Sequence, residues 1–258
     1  MPNTRGGPDD AHNNPKRGAI PTPRHLLAAA MPYMPGGLEG AAPAPPIKAP
    51  ADFIQIPKKI SFWGNYDHGD CVTAEEAFAK ACHTPEIFIP EAAVIAWATA
   101  HNVLEGANLH EVMVWMQTDG FKQGGHTYDD GSILSVNWTN AAVLNRAIWE
   151  GPVKIGIAAD QLLATWKAAG GRKEGGKSGW FATGYHNDTA EDHCVCLCGY
   201  GTIAWLAGKL HATVPASVIG TQPGYALFTW DSIGVIDTPS LLAITQEAWL
   251  RNPTTITK

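Results

Sequence analysis

The sequence has little charge, few cysteines and no long apolar run. Asp, Glu, Lys and Arg make up 16% of its 258 residues, and the formal net charge is −6. This acidic balance argues against a nucleic-acid partner, because proteins that bind nucleic acid usually carry a basic face. No stretch approaches the roughly 18 unbroken apolar residues that a membrane-spanning helix needs. The composition is typical of a globular protein, and we expect neither nucleic-acid binding nor a membrane span.

The N-terminus lacks the apolar stretch that directly follows a basic start in an ordinary secretory signal. The short apolar segment 26–34 is interrupted by Pro32 and is too short to cross a bilayer. We therefore expect a cytoplasmic location by default, and export by another route stays open. The oligomeric state cannot be predicted from these features.

The cysteine pattern does not predict a disulfide framework, because the five cysteines are odd in number. Cys194, Cys196 and Cys198 alternate, so a strand would place all three on one face. We expect them to be small buried apolar residues. A metal site built from these thiols and His193 is the alternative. Strand neighbours two apart diverge poorly for a tetrahedral site and no Cys-x-x-Cys motif occurs, so we predict neither a metal nor a cofactor.

Residues 1–50 differ in composition from the rest of the chain. They are rich in Pro, Gly, Ala and Asn and include the run Ala-Ala-Pro-Ala-Pro-Pro. Such a segment is hard to fold by itself. We interpret it as a flexible or surface-draped arm, with a short propeptide or docking segment as the alternative. Residues 51–258 form the predicted folded domain.

Within this domain, helix signals come first and strand signals follow. Helices are predicted at 71–82, 90–104, 109–118, 139–149 and 161–169, and a final one at 239–251. Strands are predicted at 152–158, 192–199, 225–230 and 233–236, with a Gly-rich loop at 170–179. This order predicts an α+β fold with two lobes. The helical lobe would span about 65–150 and the β lobe about 151–237, followed by the C-terminal helix.

Two residues carry the chemical signal. Cys71 follows a polar, Gly-containing loop and opens a predicted helix, whose N-terminal N–H groups favour a thiolate. His193 opens an apolar strand that runs to Gly199-Tyr200-Gly201. A cysteine–histidine pair activates the sulfur when a third group orients the imidazole. Asp231 or Ser232, after the next predicted strand, would supply that group.

At several positions the sequence resembles the papain family of cysteine peptidases. The stretch Gly69-Asp70-Cys71-Val72 before an Ala-rich helix is similar to the family's nucleophile helix. The stretch at 111–121 ends in Asp-Gly-Phe, as in the family, and Gly-Pro-Val at 151–153 resembles a family strand. The strand that begins Asp192-His193 is similar to the family's histidine strand, and 225–234 corresponds to its Asn-Ser-Trp-Gly segment. The resemblance covers about residues 50–237.

The resemblance implies a papain-like two-lobe fold with the active-site cleft between the lobes. Cys71 would be the nucleophile and His193 the general base and then the acid. Asn65 occupies the position of the family's oxyanion-stabilising Gln, and Asp231 that of the Asn that orients the imidazole. The implied activity is hydrolysis of peptide bonds in a peptide or protein substrate, through a covalent acyl-enzyme and without a cofactor.

Several departures from the family pattern leave other functions open. Val72 replaces the family's Trp, and Ile233 replaces the aromatic residue that shields the family's Asn–His contact, a position that Trp230 could take over. Asp70 sets a carboxylate beside the thiol unless it caps the helix. His68 is a competing base. The alternatives are another thiol acyl-transfer enzyme, such as an amidase, a transglutaminase-like crosslinker or a ligase, and a catalytically inactive binding or structural protein.

Overall fold

The structure is a computed structural model that describes residues 14–35, 50–171, 179–251 and 255–257. Much of the predicted arm and most of the predicted Gly-rich loop at 170–179 lie outside these ranges. The helices are α1 (Arg24–Ala29), α2 (Cys71–Ala81), α3 (Glu91–Ala100), α4 (Leu109–Met116), α5 (Ala141–Glu150), α6 (Asp160–Ala168), α7 (Ile203–Lys209) and α8 (Thr238–Ile244). The strands are β1 (Ala51–Asp52), β2 (Phe121–Gln123), β3 (His126–Asp129), β4 (Ile133–Ser135), β5 (Val153–Ile157), β6 (Phe181–Ala182), β7 (His193–Thr202), β8 (Pro223–Thr229), β9 (Ser232–Asp237), β10 (Thr245–Arg251) and β11 (Thr255–Thr257). None of the described helices has the length and apolarity needed to cross a membrane.

The α2, α3 and α4 helices form a helical lobe over one face of the main sheet. The α2 helix is Ala-rich and almost wholly buried, so it can pack closely on β7. Asn108 caps α4 by accepting a hydrogen bond from the Glu111 N–H. Asp70 stands at the N-cap position of α2, but its side chain makes no cap hydrogen bond. The carboxylate of Asp70 therefore lies beside Cys71 without a capping role.

The main sheet runs in the order β4-β10-β5-β7-β8-β9-β6, with β1 added to β7. All its pairings are antiparallel except that of β6 with β9. Alternation along β7 sends Cys194, Cys196 and Cys198 into the core beneath α2, and Val195 and Leu197 into a second core on the opposite face. The interpretation of the three cysteines as buried apolar residues is confirmed, since all are free and buried.

The predicted order of helices and then strands is confirmed, but the predicted C-terminal helix is wrong in its second half. The α8 helix ends at Ile244, and residues 245–251 form β10 between β4 and β5. The period-two alternation explains this: Ala248 and Leu250 pack in one core while Trp249 packs in the other. A helix over these residues would not bury both sets.

A buried cluster of charged side chains joins α2 to the sheet. Lys154 on β5 is fully buried, donates to the Val72 carbonyl at 2.9 Å, and is ion-paired with Glu76 and, at 3.2 Å, with Glu75. Arg251 on β10 pairs with Glu75 at 2.7 Å and with Glu76 at 3.3 Å. Although burial lowers the pKa of Lys154, the two carboxylates outweigh it and raise this pKa. The cluster therefore stays charged and fixes the first turns of α2 relative to the β lobe.

Candidate active site

Cys71 is the first residue of α2 and is only 2% exposed. Its sulfur lies by the backbone N–H groups of Cys194, which directly follows His193, and of Gly18 in the N-terminal segment. Burial raises the pKa of the Cys71 thiol to about 11, although both N–H groups lower it. The thiol is therefore protonated at neutral pH in this closed arrangement.

His193 is the first residue of β7 and is fully buried. Its Nε2 is hydrogen-bonded to Thr229 Oγ1 at 2.8 Å, and Trp230 stacks on the ring at 4.9 Å between centroids. Among the described residues, Nδ1 has no hydrogen-bond partner. Burial and, to a smaller extent, the charge of Arg17 lower the pKa of His193 to about 3. The imidazole is therefore neutral in this closed arrangement, and no hydrogen bond joins it to the Cys71 sulfur.

Thr229, which the sequence did not single out, is hydrogen-bonded to the imidazole Nε2, and the orienting role of Asp231 stays a prediction. The β7–β8 register pairs Cys196 with Phe228, and its continuation by three residues would place Asp231 opposite His193. Instead β8 ends at Thr229, and Trp230 at φ 53° turns the chain so that β9 starts at Ser232. The tight hairpin carries Asp231, which is 7% exposed, off the ladder. Trp230, which could take the place of the family's shielding aromatic residue, does stack on the His193 ring.

Asn65 lies in the turn before α2 and is 2% exposed. Trp63 and Gly64, with φ of 49° and 100°, set this turn. The Asn65 Nδ2 donates to the carbonyl of Lys16 at 3.2 Å and to that of His68 at 3.1 Å. The amide proposed as an oxyanion donor thus binds a peptide carbonyl of the chain's own N-terminal segment.

Residues 14–22, which we call the cleft segment, run in extended form over the site. Main-chain hydrogen bonds join Lys16 N to Asn65 O at 3.1 Å, Ala19 N to Asp192 O at 3.1 Å, and Ile20 N to Ala107 O at 2.9 Å. The Ala107 N–H donates in return to Gly18 O at 3.0 Å. Ala19 and Ala107 therefore form a parallel bridge. A peptide main chain occupies the groove between the two walls that flank Cys71 and His193.

The close approach of the cleft segment depends on Gly18. A Cβ atom at this position would lie 1.9 Å from the Gly69 carbonyl oxygen and 2.6 Å from its carbon. A Cβ atom on Gly106 would likewise lie 2.9 Å from the Gly18 oxygen. Backbone therefore contacts backbone at this point, with no room for a side chain.

Arg17 of the cleft segment lies between two carboxylates at the edge of the site. Its Nη1 is 2.5 Å from Asp160 Oδ1 and 2.7 Å from Asp192 Oδ2. Asp160 is the first residue of α6, and Asp192 directly precedes His193. Asp192 also accepts a hydrogen bond from the Ala159 N–H at 3.0 Å, which fixes its orientation. The guanidinium is therefore held by both acids beside the imidazole.

Two further ionisable groups stand on the Cys71 side. Burial raises the pKa of Asp70 to about 8, and Glu91 and Glu105 add to this effect. Its carboxyl is therefore neutral at mildly acidic pH and does not oppose a thiolate there. His68 Nδ1 is 2.9 Å from Glu105 Oε1 at the partly exposed rim, so this histidine has a partner of its own. No set of three His, Cys, Asp or Glu residues in the described ranges is arranged to hold a metal ion.

Comparisons with known proteins give the fold. No protein-family profile and no curated protein sequence matches the chain. Among solved structures, one from a study of the mite allergens Blo t 1 and Der p 1 is 12% identical with a TM-score of 0.62, covering 95% of this chain and 81% of its own. Procathepsin L2 proteinase from Tenebrio molitor larval midgut is 14% identical with a TM-score of 0.60, covering 95% and 80%. Xylellain, a cysteine protease from Xylella fastidiosa, is 13% identical with a TM-score of 0.58, covering 93% and 97%. The chain therefore has the papain-like α+β fold predicted from its sequence.

Proposed function

We propose that this protein is a cysteine peptidase that hydrolyses peptide bonds through an acyl-enzyme on Cys71. One observation carries the proposal: an extended peptide segment of the chain lies across Cys71 beside His193, with a peptide carbonyl on the Asn65 amide. A groove that binds a peptide main chain in this way suits a peptide substrate. The proteins named cysteine proteases among its structural neighbours support the same chemistry.

In the proposed mechanism a substrate replaces the cleft segment. His193 accepts the proton of the Cys71 thiol, and the sulfur attacks the substrate carbonyl. The Asn65 amide and the Cys71 N–H stabilise the oxyanion that forms, a contribution of about 100- to 1000-fold in rate for each donor. The tetrahedral intermediate collapses when His193 returns the proton to the leaving amine, and water then hydrolyses the thioester. Thr229 keeps the imidazole oriented through Nε2, and Asp231 stays a predicted contributor to this step.

The closed arrangement implies a latent enzyme. With the cleft segment in place, Cys71 and His193 are both buried and the Asn65 amide is occupied. The segment's parallel pairing with Ala107 helps to hold it in the groove. The Tenebrio structure of similar fold is that of a procathepsin, which supports this interpretation. Activity would require displacement of residues 14–22.

The test uses a thiol-directed epoxide on the full-length protein carrying Gly18→Ala, whose added Cβ clashes with Gly69 and favours the open cleft, with the wild type beside it. We expect the epoxide to modify Cys71 and to abolish cleavage of a denatured protein substrate, because the nucleophile is then blocked. Cys71→Ala should remove both effects, whereas Cys82→Ala, which alters another buried cysteine of the same lobe, should retain them. Mass spectrometry of products formed with an added amine separates hydrolysis from acyl transfer. No labelling of Cys71 at any pH, with no cleavage, would refute the proposal.

A further inference from the structure

The cleft segment places a cation in the groove at one defined point. Arg17 Nη1 bridges Asp160 and Asp192, on the side of Cys71 opposite the Ala107 wall. Within the described ranges, Arg17 is the only basic residue ion-paired with either carboxylate. The two acids therefore form an occupied cation site, and the occupant is part of a peptide.

The surroundings favour a positive charge at this point. The pKa of Asp192 is raised, mainly by burial and also by the neighbouring carboxylates of Asp160 and Asp188. The positive charge of Arg17 acts in the opposite direction and lowers it. When the cleft segment leaves, Asp160 and Asp192 lose the cation they share and their carboxylates repel each other. A peptide that returns a guanidinium or ammonium to the same place restores the pairing.

The site is also open to an incoming chain. The Asp160 side chain is 75% exposed and that of Asp192 38%, even with Arg17 in place. Asp192 is held by the Ala159 N–H and directly precedes His193, so its carboxylate is fixed relative to the reacting groups. A side chain near the scissile bond of a bound substrate would therefore reach both acids.

We infer that Asp160 and Asp192 form a specificity subsite for an arginine or lysine side chain next to the scissile bond, and that Arg17 occupies this subsite in the latent state. This inference rests on the proposed peptidase function. It adds a substrate class: peptides with a basic residue close to the bond that is cleaved. Partly exposed ion pairs are individually weak, so two of them should give a preference of about tenfold.

The first experiment compares matched peptides as substrates of the full-length protein carrying Gly18→Ala, in which the clash with Gly69 weakens binding of the cleft segment. Each pair differs only in arginine or citrulline, which has nearly the same shape without charge, at one position near the cleaved bond. For the pair that varies the position bound by Asp160 and Asp192, we expect kcat/KM of the arginine peptide to exceed that of the citrulline peptide about tenfold. Asp160→Lys should reverse this ratio and favour glutamate over glutamine at that position. Glu105→Lys makes the same charge change on the opposite wall and should retain the preference for arginine.

A binding measurement separates this inference from the peptidase proposal. The protein carrying Cys71→Ala and Gly18→Ala is titrated with a peptide of residues 14–22 that contains either arginine or citrulline at position 17. We expect about tenfold tighter binding of the arginine peptide, and loss of this difference in the Asp160→Lys background. Equal affinities, or equal kcat/KM at every position, would overturn the subsite. Tight, charge-dependent binding without cleavage of any peptide would retain the subsite and overturn the peptidase function.

Discussion

Replacement of Gly18 by alanine should open the active site. The added Cβ would lie 1.9 Å from the Gly69 carbonyl oxygen, and the surrounding atoms are backbone that cannot rotate away. Overpacking of this kind costs about 1–3 kcal/mol. At about 1.4 kcal/mol for each factor of ten, the equilibrium would shift by about 5- to 150-fold toward the open state. The hydrogen bonds of the cleft segment contribute about 1 kcal/mol each, so this cost is large relative to any one of them.

The assay is the rate at which iodoacetamide alkylates Cys71, followed by mass spectrometry of the intact protein and its peptides. We expect this rate to rise about 5- to 150-fold in Gly18→Ala, with a parallel rise in cleavage of a peptide substrate. The control is Gly208→Ala, because a Cβ at Gly208 would meet no atom within 4 Å. A rate for Gly18→Ala within twofold of both the wild type and this control would refute the view that the cleft segment seals Cys71.

Three further changes test the site and the fold. Thr229→Val removes the partner of His193 Nε2 and should lower kcat about 10- to 100-fold with little change in KM, whereas Thr229→Ser should retain most activity. A pH–rate profile left unchanged by the valine would contradict a positioning role. Lys154→Met removes one of the cations that pair with the buried carboxylates of Glu75 and Glu76. It should lower the free energy of unfolding by about 3–5 kcal/mol in urea denaturation. A decrease in the free energy of unfolding of less than about 1 kcal/mol would show that the buried charged cluster does not hold α2 to the sheet. Because the pKa of Asp70 is raised to about 8 in the folded state, its contribution is fully present below its ordinary pKa near 4 and is lost as pH rises to about 8. Asp70→Asn should therefore flatten the fall in unfolding free energy over this range, and an unchanged slope would contradict burial of this carboxyl.

Periodicity made most of the fold predictable. The Ala-rich helix after Cys71 and the fully apolar strand after His193 have unambiguous patterns, and both occur close to the predicted bounds. The helix prediction for residues 239–251 was wrong in its second half because a short apolar run suits a helix or a buried strand equally well. Its strand half is fixed by pairing with β4 and β5, which are distant in sequence.

The site was less predictable than the fold, for reasons of backbone geometry. Thr229 was missed because its role depends on where β8 ends, and a tight turn at Trp230 fixes that end. The cleft segment binds mostly through main-chain hydrogen bonds, which carry no side-chain pattern. It also lies within residues 1–50, whose Pro- and Gly-rich composition is typical of flexible segments. Only Arg17, with its two carboxylate partners, marks the segment by side-chain chemistry, and neither partner is near it in sequence.

The same segment acts on both members of the proposed catalytic pair. Burial under it raises the pKa of the Cys71 thiol to about 11, and burial with Arg17 nearby lowers the pKa of His193 to about 3. Proton transfer from the thiol to the imidazole is disfavoured at both ends, so the closed pair is neutral. We expect departure of residues 14–22 to admit water to both groups, which lowers the pKa of Cys71 against the loss of the Gly18 N–H contact and, with the Arg17 charge gone, raises the pKa of His193. We therefore expect opening of the cleft and activation of the nucleophile to be coupled. A substrate that places its own cation on Asp160 and Asp192 would displace the cleft segment by competing for the contacts that hold it.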